Sequence, residues 1–330
     1  MLNFFRNNKL SASFLVTLYA VPFILSHYQT FKNSKQTITE LPFLFKSLPA
    51  WLTESFVLKE SLLIIILFIL SFWLNRIVNF NRLGKKNTYI TAISFFIVFF
   101  VFPDFDIFST ALIASLFCLA SIDQLFLAYE KKVSVSEVFN AAFLNSMAVL
   151  LYPAAVFLFI FLLIAWLILR TFNTKEFVIL LSGFAIPLYL CATLYYMNNQ
   201  LSEWLIHDFW ERLGISNFNI ELNFTFWIGL INFSLLTIFT IFNLNNLKTK
   251  TTIREQKYIN VLFVLLLNSF LILIFQKNFT GSSLLFTALP LGIFLSLNLQ
   301  SLKNERLAEI FHLYLWISVI FVQYYQFLFR

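Results

Sequence analysis

Charge is scarce in this sequence: 12% of its 330 residues are Asp, Glu, Lys or Arg, while 60% are hydrophobic. So little polar surface cannot coat a water-soluble globule of this size, which puts the chain in a bilayer. Glycine is rarer still, at six residues. The sequence contains no glycine-rich phosphate loop, no dinucleotide fingerprint and no G-x-x-x-G. Two cysteines and three histidines give no zinc-cluster spacing and no H-E-x-x-H helix. Cys118 and Cys191 fall inside apolar runs and read as small buried hydrophobes. Segments of about ten alternating residues, the mark of a transmembrane barrel, are also missing.

What the chain has instead is long apolar runs, with Phe alone at 45 residues. About eleven of them can cross roughly 30 Å of hydrocarbon as helices: 11–27, 59–75, 88–102, 107–128, 136–151, 154–170, 177–197, 223–243, 258–275, 283–299 and 307–328. Arg6 and Lys9 precede the first run as in a signal peptide, but no small-x-small cleavage pattern is found before His27, so it reads as a retained helix. The predicted fold is an all-α polytopic membrane protein, one integral-membrane domain over residues 1–330.

Basic residues orient the spans. With the N-terminus cytoplasmic, 16 of the 23 Lys and Arg residues fall in inside segments, provided the chain re-crosses at Pro103 and at Tyr152–Pro153. The net charge of +7 is then a cytoplasmic rim and needs no nucleic acid to explain it. Two outer segments remain. The first, about 28–58, carries Pro42 and Pro49. The second, about 200–213, sets Leu201, Trp204, Leu205 and Leu213 against Glu203, Asp208 and Glu211, with Gly214 as its C-cap. It reads as an amphipathic helix lying on the outer face.

Chemistry has few places to reside. The stretch FPDFD places Asp104 and Asp106 in the outer turn between the third and fourth spans. Either they cap the fourth helix after Pro103 has stopped the third, or the alternating carboxylates hold a divalent cation or act as a base on a lipid-linked phosphate. Glu40 and Glu54 in the first outer segment are further candidates, as are His207, Asp208, Glu211 and Arg212 in the second. His207 and Glu211, four apart, read as a solvated contact. Asp123, the acid well inside a span, reads either as a structural partner of Gln124 or a lysine or as a proton-transfer group. Asn140, Asn145, Asn232 and Asn268 are expected to bond between helices. Gly183 with Pro187, and Pro290 with Gly292, interrupt two spans, as the broken helices of transporters do.

From Phe139 onward the chain reads FNAAFLNSMAVLLYP and then LILRTFNTKEF. This resembles an uncharacterised family of multi-pass inner-membrane proteins of Bacteroidota. Members share a hairpin of small residues leading to Leu, Tyr and Pro, and an Arg-Pro-Phe-x-x-Arg-Glu-Trp cytoplasmic turn. Arg170, Phe172 and Glu176 match that turn; Thr171, Lys175 and Phe177 depart from it. The resemblance implies the bacterial inner membrane and no particular activity. Since the turn faces the cytoplasm, Arg170 and Glu176 read as an anchor and a helix-start acid. More distantly, acids in early outer hairpins look like the GT-C class of integral-membrane glycosyltransferases, which implies an outward-facing carboxylate base and a polyprenyl-phosphate-linked sugar donor. Asp104, Asp106 and Glu40 would then be the catalytic residues, although the first outer segment holds no Asp. The alternative is a non-catalytic component of an envelope complex serving secretion, motility or lipid handling, with other envelope proteins as partners; a small-solute transporter comes third. No cofactor is indicated.

The charge distribution makes a first prediction. Alkaline phosphatase fused after Arg330 is active, because an odd number of spans carries the C-terminus outside. A silent phosphatase together with an active cytoplasmic reporter at the same site removes the eleven-span arrangement.

Overall fold

The computed structural model describes residues 2–6, 10–32, 56–102, 110–131, 134–216, 223–249, 251–277 and 283–328. The described residues are helical, without a strand; the sole β-type pairing among them is an isolated bridge between Leu213 and Gln276. After a short N-terminal turn at Leu2–Phe5 come α1 (Leu10–Lys32), α2 (Phe56–Phe80), α3 (Ile90–Phe99), α4 (Thr110–Glu130), α5 (Val135–Leu151), α6 (Leu158–Leu169), α7 (Thr174–Met197), α8 (Phe224–Lys248), α9 (Ile253–Ile274), α10 (Leu284–Ser301) and α11 (Glu305–Leu328). Seven of these are long and apolar enough to cross a membrane; the described parts of α1, α3, α5 and α6 are apolar but shorter.

The helices alternate in direction between two ends of the bundle, as their contacts show. At one end Arg6 pairs with Glu305, Arg254 with Glu130, and Arg170 with Glu176, while Lys257 Nζ donates to Leu169 O at 3.3 Å. We call this the basic end. At the other, rings pair between helix termini: Tyr152 with Phe286, Phe157 with Phe275, Phe224 with Tyr325 and Phe102 with Phe226. The chain reverses at Tyr152–Pro153, where Tyr152 is extended and Pro153 opens a 3-10 turn leading into α6. Proline suits that first position because its missing N–H would have no helical acceptor there.

At the centre lie α3 and α10. Every residue of α3 is buried, and so is α10 from Leu285 to Leu299. They run antiparallel, with Thr91 Oγ1 and Ser296 Oγ 3.0 Å apart and a Cβ on Gly292 placed 3.0 Å from Phe95 Cα. At ten residues, α3 spans roughly 15 Å, half a hydrocarbon core. The buried backbone just past its end is satisfied by protein rather than by water: Gln323 Nε2, from α11, donates to Phe100 O and Phe102 O at 2.9 Å each.

Several expectations change here. Pro187 and Pro290 lie inside continuous helices and do not break them. Their neighbouring glycines serve close packing instead: a Cβ on Gly183 would stand 2.8 Å from Phe139 O. Residues 201–212 are not one regular amphipathic helix but wind successively as α, π and 3-10 turns. Gly214 is no left-handed cap, since no glycine among the described residues has positive φ; its N–H donates to Phe275 O at 3.1 Å, tying the segment to the end of α9. Asn145, Asn268 and Asn232 do bond between elements, to Leu158 O, Phe157 O and Ser318 Oγ, whereas Asn140 is exposed. Cys118 and Cys191 are buried free thiols.

Gly183→Ala therefore forces α5 and α7 apart and lowers stability by about 1–3 kcal/mol, read as a fall in melting temperature in detergent. Gly214→Ala, whose Cβ would meet Lys277 at an ordinary 3.6 Å, leaves it unchanged. Equal melting of both variants with the parent removes the close-packing role of Gly183.

Candidate functional site

At the aromatic end, α1 finishes and α2 begins with ionisable residues that the bundle takes out of water. His27 Nδ1 lies 3.2 Å from Glu60 Oε2, and the two side chains are 7% and 12% exposed. Residues 33–55, which carry Glu40 and Glu54, connect these two helices. Beside the pair, Ser26 Oγ donates to Phe23 O at 2.7 Å and meets Gln323 Oε1 at 3.5 Å. That glutamine's amide nitrogen holds Phe100 O and Phe102 O, directly before Pro103, Asp104, Phe105 and Asp106. Tyr324, next along α11, donates its hydroxyl to Pro22 O at 2.8 Å.

One polar cluster thus links the C-terminus of α1, the N-terminus of α2, the end of α3 and the far half of α11. Asp104, Asp106, Glu40 and Glu54 lie outside the described residues, on the two segments that leave from it. Sequence reading passed over His27 and Glu60. The available signal was that an ionisable residue closes one apolar run and another opens the next. A buried imidazole beside a carboxylate that orients its ring is an arrangement suited to moving a proton.

The basic end is built differently. In the RTFNTKEF turn Arg170 stops α6, the Asn173 side chain caps α7 by accepting from Lys175 N at 3.0 Å, and Glu176 falls in α7's first turn. Glu176 Oε1 accepts from Ser134 Oγ and Arg170 Nη2, and its Oε2 from Trp166 Nε1 and Arg170 Nε, all at 2.9–3.2 Å. Arg170 Nη1 reaches back to Ala128 O and Lys131 O. Phe172 and Phe177 pack on the Trp166 ring. A carboxylate accepting four bonds has no capacity left for chemistry; it locks α4, α5, α6 and α7 together.

The remaining ionisable candidates are less organised. Asp123 Oδ2 receives Trp73 Nε1 at 3.4 Å rather than Gln124 or a lysine, because α2, not the basic rim, packs against that face of α4. His207 Nδ1 and Glu211 Oε2 are 3.0 Å apart with both side chains more than half exposed; the His207 hydrogen bond holds the Glu211 carboxyl below its ordinary range. In the interior, Tyr19 Oη lies 3.4 Å from His312 Nε2 between α1 and α11. No three His, Cys, Asp or Glu side chains come together among the described residues.

Fold and sites together define an all-helical membrane protein whose two ends carry distinct polar chemistry. The chain belongs to the DUF6427 family, a family of unknown function, whose profile matches residues 33–329. No curated protein and no solved structure matches it.

Removing one partner of a buried ion pair costs about 3–5 kcal/mol. Glu176→Ala consequently lowers the melting temperature of the purified protein strongly, whereas Glu211→Ala does not move it. A Glu176→Ala protein that melts like the parent removes the anchoring role.

Proposed function

We propose that this is a bacterial inner-membrane protein with the basic end in the cytoplasm, crossing the bilayer about eleven times, and that it acts at the aromatic, outward end as a transferase of the GT-C kind. The donor is a polyprenyl-phosphate-linked sugar. A carboxylate among Asp104, Asp106 and Glu40 takes the proton of the acceptor hydroxyl as its oxygen bonds to the sugar's C1, and the polyprenyl phosphate leaves with the electrons of the broken C1–O bond. The observation that carries this reading is the buried His27–Glu60 pair, joined through Ser26 and Gln323 to the carbonyls from which the FPDFD segment departs. Burying two ionisable groups at a bilayer boundary is expensive, and such groups mark functional sites.

A second reading, the non-catalytic component of an envelope complex, is favoured by α7. Most of this helix is not buried in the bundle, and Tyr189, Leu190, Leu194, Tyr196 and Met197 are exposed, where lipid or another envelope protein covers them.

Complementation of a deletion strain separates the two. His27→Gln, Glu60→Gln, Glu40→Gln and the double change Asp104→Asn/Asp106→Asn all insert normally. Asn caps a helix about as well as Asp, so only the charge–dipole term of roughly 0.3–1 kcal/mol is lost from the double variant. On the transferase reading the double variant fails to rescue, and purified parent protein releases polyprenyl phosphate from the donor while the variant does not. Full rescue by every variant overturns the transferase and leaves the complex component.

A further inference from the structure

Among the cations of the basic end, two sets stand apart. Four are taken up by acids: Arg6 by Glu305, Lys131 by Glu137, Arg170 by Glu176 and Arg254 by Glu130. Five others, Arg82, Lys85 and Lys86 between α2 and α3, Lys303 between α10 and α11, and Arg306 in the first turn of α11, are exposed and take part in no ion pair among the described residues. A positive-inside signal needs only charge in a loop. These two loops are in addition built into one rigid surface.

The first is closed on itself: Asn79 Nδ2 donates to Thr88 O at 3.0 Å, Thr88 N donates to Asn79 Oδ1 at 3.2 Å, and Leu83 N donates to Val78 O at 3.0 Å. Leu83 is buried beneath the turn, and Arg82 sits at φ 54°, a conformation that costs a non-glycine residue energy and persists only where its surroundings enforce it. The loop is then fixed to the end of α10. Gln300 Nε2 donates to Thr88 Oγ1 at 3.2 Å, and a Cβ on Gly84 would stand 2.5 Å from Gln300 Oε1. Two residues past Ser301, the last of α10, comes Lys303.

We infer that these two loops form a binding site for a phosphate-bearing anion, and that its occupant is the headgroup of an anionic phospholipid. Arg supplies planar forks and Lys point charges to phosphate oxygens. Loops at the ends of membrane-crossing helices stand at headgroup depth, where anionic lipid is concentrated. The glutamine brace holds the charges together before the ligand arrives, so little ordering is required on binding. The site does not depend on the activity proposed for the opposite end.

The test uses the full chain in neutral detergent, with native mass spectrometry counting retained lipid. Phosphatidylglycerol is retained and raises the melting temperature; phosphatidylcholine does neither. Retention falls at least tenfold in Arg82→Gln/Lys85→Gln/Lys86→Gln/Lys303→Gln/Arg306→Gln and is unchanged in Lys175→Gln/Lys248→Gln, which removes charge from the same end outside the two loops. Should the fivefold variant insert poorly, the parent alone decides: phosphatidylglycerol retention falls steeply with added salt if phosphate contacts carry it. Equal retention of both lipids, salt-independent retention, or equal loss in both variants overturns the site. Displacement of the lipid by millimolar inorganic phosphate overturns the lipid as occupant and assigns the surface to free phosphate.

Discussion

In hydrocarbon a polar group has no water to turn to, and this constraint decides which helices can lie where. It is most demanding at the end of α3, a ten-residue helix buried along its whole length. Gln323 meets the demand from α11 by donating to Phe100 O and Phe102 O. With those groups satisfied, α3 can be wholly buried, and α10 can lie against it so closely that Gly292 faces Phe95 without a side chain between them. Lipid tails are as apolar as the side chains they touch, so helix association here draws on close packing and internal hydrogen bonds rather than on hydrophobic transfer. The glycine contacts, the Thr91–Ser296 pair and the asparagine amides are all instances of those two forces.

The two ends apply the same rule to opposite effect. At the basic end the polar valences of Glu176 are filled, and a filled carboxylate gives rigidity. At the aromatic end the His27–Glu60 pair is buried between two helices whose connection carries more acids.

Much of this was legible in the sequence, for identifiable reasons. Membrane character and the positions of the helices follow from run length and composition, which are local. The RTFNTKEF turn was readable as an anchor because Arg170 and Glu176 are six residues apart and the cap lies between them. The reversal at Tyr152–Pro153 was readable from one proline and the balance of basic residues. Features that depend on which helix neighbours which were not readable: His27 meets Glu60 across residues 33–55, Asp123 meets Trp73 fifty positions away, and Gly183 takes its meaning from Phe139 on another helix. The prolines misled because a membrane bundle supplies alternative partners for the groups they free. Asp104, Asp106 and Glu40 themselves lie outside the described residues, so what structure adds is the cluster from which their segments depart.

That cluster makes α11 more than a lipid-facing terminal helix. It runs parallel to α1, meeting it at Tyr19–His312, Ser26–Gln323 and Pro22–Tyr324 in turn, from the interior to the aromatic end. Through Gln323 it also fixes the carbonyls at which α3 gives way to the FPDFD segment. A shift of α11 along its axis would therefore move the neighbour of His27 and the root of the Asp104–Asp106 segment together, because one side-chain amide touches both. The same helix begins at the basic end, where Glu305 holds Arg6 and Arg306 stands in the exposed loop surface. The helix that braces the cluster at the aromatic end is thus continuous with the basic-end surface in which Arg306 stands.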